Sequence, residues 1–226
     1  MGWSRHGRGW GRESYHHGNL REALVDVGLE LIAARGPAGF SFAELARAAG
    51  VSPAAPYRHF RDRNALVAEI ARRGFALFAK ELAAAWNGGE PEPLAALLKC
   101  GQAYLAFARN RPALYAAMFT AEVASGELPS EDGAALDEAG AQAFAVLRGA
   151  AERLVADIPP GKRPPALMVA LHIWSLSHGI AALFLRPSSS LAALLPGSPE
   201  DLLEAGVRLY LQSLGHGASA ASSGVR

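Results

Sequence analysis

Residues 41–60 read SFAELARAAGVSPAAPYRHF, and the reading of this stretch decides the fold. Ser41 suits an N-cap and Glu44, three residues on, completes a capping box, so a short helix begins at Phe42. It stops at Gly50, where a residue tolerant of positive φ is wanted. Ser52 then caps a second short helix with Pro53 at its first position, where the missing N–H would be unbonded anyway. Pro56 is the unusual residue. It lacks the N–H that would bond back to the Ser52 carbonyl, so one bond is lost and that turn shifts. The two fixed φ angles lower the entropic cost of ordering so short a segment, and burial of Val51 and Phe60 against the preceding helix supplies the rest. Two short helices meeting at a glycine turn form a helix-turn-helix, a motif whose second helix enters the major groove of DNA.

The flanking sequence is helical throughout. Asn19 suits the N-cap of a first helix with Leu20, Leu24, Val27 and Leu31 on one stripe, and Gly36 with Pro37 stops it. Asp62 caps a long amphipathic helix over 63–86, which ends in NGGEPEP at 87–93. Beyond this Gly/Pro break, apolar spacings of three and four predict helices near 94–110, 112–119, 134–157, 165–185 and 200–214. Alternating strand patterns are missing, so the fold class is all-α. The chain divides into a disordered basic arm (1–14), a helix-turn-helix domain (15–63), a connecting helix (64–86), a ligand-binding and dimerisation domain (87–214) and a small, polar, disordered tail (215–226).

Composition narrows the function. Half of the 226 residues are hydrophobic, enough for a real core, and the single Cys100 cannot close an intramolecular disulfide. With no apolar stretch in MGWSRHGRGWGRESYHH, a reducing cytoplasm is the expected location. The net charge of +1 is unevenly spread: residues 1–63 hold nine Arg against six acidic residues, and the remainder holds thirteen basic against fifteen acidic. A positive front suits a polyanionic partner. Residues 164–185 carry no charged side chain and satisfy the length rule for a membrane span, but His172, Ser175, Ser177 and His178 inside the stretch favour a helix buried on all sides. There is no Gly-rich phosphate loop, no paired carboxylate site and no nucleophile in a supporting context, so no catalytic residue and no cofactor is assigned. His16 and His17 lack a third ligand in register, so no metal site is assigned either.

From about Tyr15 to Phe78 the sequence resembles the DNA-binding domain and connecting helix of the tetracycline-repressor (TetR) family of bacterial transcriptional regulators, carried by the pattern AGVS, YRHF and the Arg and Leu that follow. The resemblance implies that Ser41 and Ser52 offer helix N-termini and hydroxyls to phosphates, that Tyr57 and His59 grip the backbone, and that Arg63 stands where the family often has a phosphate-binding Lys. Ala54, Ala55 and Arg58 would face base edges. Family members commonly have Gly, Thr and a large apolar residue where this chain has Ala54, Ala55 and Pro56, so operator preference is not inherited. Methyl groups of Ala54 and Ala55 suit a thymine methyl and Arg58 suits a guanine, which leaves shape and phosphate positioning to do most of the reading. Arg5, Arg8 and Arg12 form either a minor-groove arm or a tail without ordered contact.

The C-terminal two thirds should pair subunits and sense a signal. Ser175, Gly179 and Ala182, with Arg186, fall at spacings of four, three and four and give one helix a small-residue edge. The final helix carries Leu203, Val207, Tyr210 and Leu214 on one face. Together they resemble the family's four-helix dimer bundle; intramolecular packing of the same faces is the alternative. WSLSHG at 174–179 resembles the Trp-His-Gly signature of one TetR subgroup. Trp174 and His178, with Tyr104, Phe107, Met118 and Phe119, are candidates to line a ligand cavity. Phe144, Leu147, Met168, His172 and Ser177 complete that candidate set. A core Trp with His178 hydrogen-bonded in place is the competing reading. The expected function is a ligand-responsive transcriptional regulator, a repressor, that binds double-stranded operator DNA as a homodimer and takes a small, mostly apolar effector, with no membrane partner. The alternative is an α-helical small-molecule- or partner-binding protein with a degenerate DNA-binding domain; the presence of Tyr57, Arg58 and His59 speaks for the regulator.

Overall fold

The computed structural model describes residues 20–123, 130–185 and 190–220. The basic arm, the Asn19 cap, His16, His17 and Arg186 lie outside the described residues, which form eight α-helices and no strand. In chain order these are α1 (Leu20–Arg35), α2 (Phe42–Ala48), α3 (Arg63–Trp86), α4 (Pro93–Asn110), α5 (Pro112–Val123), α6 (Ser130–Val155), α7 (Ala166–Phe184) and α8 (Pro199–Ala220).

Local signals place the first three. Ser41 and Glu44 form the capping box, with the Ser41 N–H donating to Glu44 Oε2 at 2.8 Å and the Glu44 N–H donating to Ser41 Oγ at 3.3 Å. At the other end of α2, Gly50 has φ +68 and the Val51 N–H reaches back to the Ala46 carbonyl at 2.9 Å, the closure a left-handed residue permits. Asp62 caps α3 by accepting from the Ala65 N–H at 2.9 Å.

The α3 helix is the spine. Its front half packs against α1, where Gly28 lets the helices close: a Cβ there would stand 3.0 Å from Ile70 Cδ1. Its rear half packs against α4, α5 and α6, and α5 also touches α1. Phe78 is fully buried in α3, with the rings of Tyr104 and Phe107 both 5.0 Å away and Trp174 at 6.1 Å. On the N-terminal side, the Glu69 carboxylate receives Arg21 at 3.0 Å, Arg72 at 2.9 Å and Arg73 at 2.7 Å, and Arg73 also pairs with Glu22 of α1. A carboxylate with this many guanidinium partners fastens α1 to α3 far more firmly than an exposed pair would.

Three expectations are corrected. Although α7 is long and apolar enough to cross a membrane, it is not buried on all sides. It packs on α4, α6 and α8 through Val169, Ile173 and Ile180, while Leu167, Met168, Leu171 and Leu183 stay exposed. A monomeric bundle has helices on only one side of α7. The predicted disordered tail is shortened, because α8 stays helical to Ala220. Gly215 and Gly217 each cost a helix only about 1 kcal/mol relative to alanine, and four preceding turns are already formed. The helices around the α5–α6 connection also run longer than predicted, to Val123 and from Ser130.

Burial alone would raise the Glu69 carboxyl, but the hydrogen bonds from Arg72, Arg21 and Arg73 outweigh it and hold the group at about 2. An unfolded glutamate titrates near 4.3, so the stabilisation is fully present above that pH and is lost as pH falls through the folded value. Glu69→Gln is therefore expected to cost about 2 kcal/mol in urea unfolding at neutral pH and to flatten the stability loss between about pH 4.5 and 2.

Candidate nucleic-acid interface and aromatic cup

The segment that follows α2 departs from the predicted second helix. It is a turn and a single turn of 3-10 helix over Pro56–Arg58, with Ala55 rather than Ser52 at the N-cap position and no side-chain capping bond there. The cause is Pro56. Without its N–H, the Ser52 carbonyl is taken by the Ala55 N–H at 2.9 Å, the next bonds close over three residues, from Arg58 to Ala55 at 3.2 Å and from His59 to Pro56 at 3.0 Å, and Phe60 also bonds over four to Pro56 at 3.0 Å. The Pro56 ring and Phe60 are buried and anchor the turn, with the Arg21 guanidinium 5.0 Å above the Phe60 ring.

What the turn displays is the predicted set. Ser52, Ala54, Tyr57, Arg58 and His59 are exposed and Ala55 is half-buried. Tyr57 is 60% exposed yet fixed in direction by an edge contact with Phe42 at 5.0 Å. Ser41 is exposed, but its hydroxyl donates to Glu44 Oε2 at 2.9 Å. The Ser41 backbone and hydroxyl hydrogen bonds, with one from Arg35, hold Glu44 at about 2. Ser41 thus serves first as a cap. Arg63 donates to the Ala38 carbonyl at 3.0 Å and to Asn64 at 3.4 Å, so it ties the α1–α2 loop to the start of α3. A wider groove of about 220 Å³ lies behind the turn, between α1, α3 and α6, and includes His59 and Arg61. Its guanidinia are already engaged: Arg21 and Arg72 with Glu69, Arg61 with Asp62.

In the C-terminal body the predicted pocket residues split into two groups. Tyr104, Phe119, Phe144, Trp174 and His178 come together in an aromatic cup, with Tyr104–Trp174 at 5.6 Å, Phe144–Trp174 at 5.5 Å and Phe119–His178 at 4.4 Å between ring centres. At its base the Tyr104 hydroxyl lies 3.1 Å from His178 Nδ1. Beside the cup is a cavity of about 20 Å³, room for one water, lined by Tyr104, Leu147, Trp174 and Ser177 together with Cys100 and Gly101. Ser177 is no polar handle for a ligand, because its hydroxyl donates to the Ile173 carbonyl at 2.8 Å. Phe107 and Met118 are core, with Met118 seated over Gly74 where a Cβ would approach its Cγ to 2.8 Å.

Met168 and His172 do not join the cup. Both are exposed, and the His172 ring stacks on Tyr210 of α8 at 4.7 Å with Nδ1 2.8 Å from the Met168 carbonyl. They lie about a quarter turn or more away from Trp174 and His178 on the outer arc of α7. Trp174 is half-buried with its ring 6.1 Å from that of Phe78, and His178, also half-buried, is held by the Tyr104 hydroxyl.

Sequence reasoning missed Tyr115. Its hydroxyl lies 2.9 Å from His178 Nδ1 and 3.2 Å from the Tyr104 hydroxyl, completing a three-membered polar cluster within the cup. Burial pushes Tyr115 up to about 12 and the His178 imidazole below its ordinary value, so both are neutral near pH 7. The sequence signal was a Tyr and a Phe one turn apart in α5, Tyr115 and Phe119, but α5 is apolar nearly all round and no stripe stands out.

The predicted dimer faces also split. Ser175 and Ala182 are exposed and Gly179 faces open space, so the small edge of α7 is available. On α8, Leu203 and Val207 are 3% and 2% exposed and turn inward, with Leu203 against Gly101 of α4, where a Cβ would stand 2.8 Å away. Tyr210 and Leu214 are half-buried beside them. The expectation that Leu203 and Val207 belong to a seam is therefore corrected, since α4 claims these two side chains, and the outward face of α8 carries Leu202, Ala205 and Leu209.

Residues 97–210 match the family model described as tetracyclin repressor-like, C-terminal domain, and residues 24–70 match that of bacterial regulatory proteins, tetR family. Among solved structures, a protein with unknown function from Rhodococcus sp. RHA1 is 28% identical, with 89% of this chain and 98% of that chain covered at a TM-score of 0.70. The TetR family transcriptional regulator PfmR from Thermus thermophilus is 21% identical, with 84% and 97% covered at 0.62. AibR, solved in complex with isovaleryl coenzyme A and operator DNA, is 19% identical, with 83% and 96% covered at 0.61. No curated protein sequence matches the chain. The two matched regions fall on the helix-turn-helix unit and on the body that holds the cup, and the chain belongs to the TetR family of transcriptional regulators.

Proposed function

We propose that the chain is a ligand-responsive repressor that binds a palindromic operator as a homodimer. The observation that carries this reading is the exposed turn from Ser52 to His59, held by buried Pro56 and Phe60 on a unit that is itself fastened to α3. Tyr57 and His59 stand beside the phosphates in this reading, and Arg58 is the side chain long enough to reach a base edge. Ala54 and Ala55 bring small apolar surface against the groove floor, so contact is close but information-poor. One such turn reads few base pairs, and a two-fold dimer doubles the site.

The dimer face is the outer arc of α7 with Ser175, Gly179 and Ala182, flanked by Leu171 and Leu183, and the outer stripe of α8 with Leu202, Ala205 and Leu209. The α8 set replaces the inward-facing Leu203 and Val207. Leu209, 67% exposed, is the large apolar side chain of this face with most to gain from a partner. The effector site is the cup, and α5 is the link: it supplies Tyr115 and Phe119 to the cup, Met118 to Gly74 of α3, and a contact surface to α1. A ligand that displaces α5 shifts α3 and the attached helix-turn-helix, and the two turns of the dimer lose their spacing. A coupling of about 1–3 kcal/mol changes operator affinity roughly five- to over a hundredfold. AibR, a neighbour by fold, offers a precedent in that it was solved with both an acyl coenzyme A and its operator. No cofactor is needed for this scheme.

Titration of operator duplexes and their single-base-pair variants across a salt series tests the assignment. Arg58→Ala is expected to relax preference at one base position by about 1–3 kcal/mol and to leave folding stability within about 0.5 kcal/mol. Arg63→Ala is expected to weaken all sequences alike, to flatten the salt slope and also to lower stability by about 1 kcal/mol through loss of the Ala38 tie. Equal, sequence-independent losses from both would refute the roles. Separately, Leu209→Glu is expected to weaken dimerisation at least tenfold in sedimentation equilibrium while the circular dichroism of the folded chain is kept. A dimer unaffected by it would move the interface elsewhere.

A further inference from the structure

The helix-turn-helix unit has no surplus of positive charge of its own. Residues 1–63 hold nine Arg against six acidic residues, but Arg5, Arg8 and Arg12 fall within residues 1–12, which contain no Asp or Glu. Residues 13–63 are therefore balanced, with six Arg and six acidic residues. Part of that Arg set is also spent within the protein: Arg21 on Glu69, Arg35 on Glu44 and Arg61 on Asp62, while Arg63 donates to the Ala38 carbonyl. Attraction to a polyanion needs uncommitted cations, and the surplus for it lies in the first twelve residues.

The structure fixes where that segment is attached. Residues 1–19 lie outside the described residues, and α1 begins at Leu20. The next residue, Arg21, is pinned, with its guanidinium 5.0 Å from the centre of the Phe60 ring and 3.0 Å from the Glu69 carboxylate. Phe60 follows His59, the last residue of the exposed turn, and Arg21, His59, Phe60 and Arg61 line one groove. The chain therefore enters α1 beside the end of the turn assigned above to the major groove. Leu20 and Arg12 are eight residues apart, a span of up to about 26 Å when extended. The minor groove next to an occupied major groove lies about 17 Å along the duplex, half a helical repeat. Arg12 reaches it with length to spare, and Arg8 and Arg5 follow at intervals of four and three.

We propose that residues 5–12 are a second DNA-reading element, in which Arg5, Arg8 and Arg12 enter an A·T-rich minor groove flanking each half-site. This rests on the operator-binding reading above and adds a preference that the turn lacks. Gly7, Gly9 and Gly11 alternate with Arg8, Trp10 and Arg12, and a backbone bare at every second position suits a groove only about 6 Å wide. Runs of A·T narrow that groove further and deepen its negative potential, which draws guanidinia in. In a G·C tract the guanine 2-amino group stands on the groove floor and presents a donor where the guanidinium needs an acceptor. Ala54 and Ala55 read little, so the composition of the flanks becomes part of the operator.

Selection from random double-stranded DNA is run in parallel with the full-length protein and its Arg5→Ala/Arg8→Ala/Arg12→Ala variant. The most enriched core is then titrated in three duplexes that differ only in their flanks, which are A·T, G·C or inosine·cytosine. Inosine·cytosine presents the minor groove of A·T with the major groove of G·C. The wild-type chain is expected to bind A·T and inosine·cytosine flanks alike, each at least fivefold more tightly than G·C. In the variant that gap is expected to fall below twofold, and the slope of log affinity against log salt to drop by about 2–3. Indifference of the wild type to its flanks, inosine·cytosine behaving as G·C, a preference retained by the variant, or an equal loss on all three flanks overturns the site. The operator reading is judged separately by the core. A palindrome without flank preference keeps the dimeric operator and removes the arm's site. An arginine-dependent A·T preference without a palindrome keeps the arm's site and removes the dimeric operator, and enrichment of neither removes both.

Discussion

The Glu69 carboxylate fastens α1 to α3. Three guanidinia, from Arg21, Arg72 and Arg73, converge on it, and Arg73 extends the set to Glu22. Through these ions α1 cannot tilt without α3. Because α3 also forms the wall against which α4, α5 and α6 pack, the N-terminal unit and the C-terminal body share one rod. A burial-driven contact between α1 and α3 would tolerate sliding; a carboxylate receiving several directional hydrogen bonds does not.

This constraint explains why the interface needs so little helix. The Ser52–His59 segment is too short to hold itself, and Pro56 has removed the bond that would have made it α-helical. It is positioned from outside instead, by the buried ring of Pro56, by Phe60 beneath Arg21, and by the edge of Phe42 against Tyr57. Rigid support from the three-helix unit substitutes for internal regularity. At the other end of α3 the same logic is carried by aromatic packing around Phe78, and α5 is in contact with α1 and with the middle of α3, at Gly74 and Phe75.

What was legible in the sequence was what is decided locally. The Ser41–Glu44 box, the Asp62 cap and the stop at Gly50 depend on residues a few positions apart, and the structure has all three. The consequence of Pro56 was legible in kind, a lost bond and a shifted turn, though not in degree, since one missing donor reduced the whole segment to a 3-10 turn. Faces were harder. The stripe of Leu203, Val207, Tyr210 and Leu214 fits a partner subunit as well as it fits its own chain, and the arbiter is Gly101, far away in sequence on α4. Tyr115 escaped for a related reason: nothing in α5 distinguishes it, and its partner His178 lies 63 residues further on. Met168 and His172 are near Trp174 in sequence, but the helical turn places them on the exposed outer arc of α7.

Selection of bound sequences from random double-stranded DNA, with the purified full-length protein at a stated moderate salt, addresses the central claim most directly, since salt separates specific from backbone binding. Recovery of a palindrome with half-sites about one helical turn apart is the result predicted for two such turns on a rigid dimer. A soluble, folded protein that enriches no sequence would contradict it, and would leave the C-terminal cup as the functional centre of a small-molecule- or partner-binding protein.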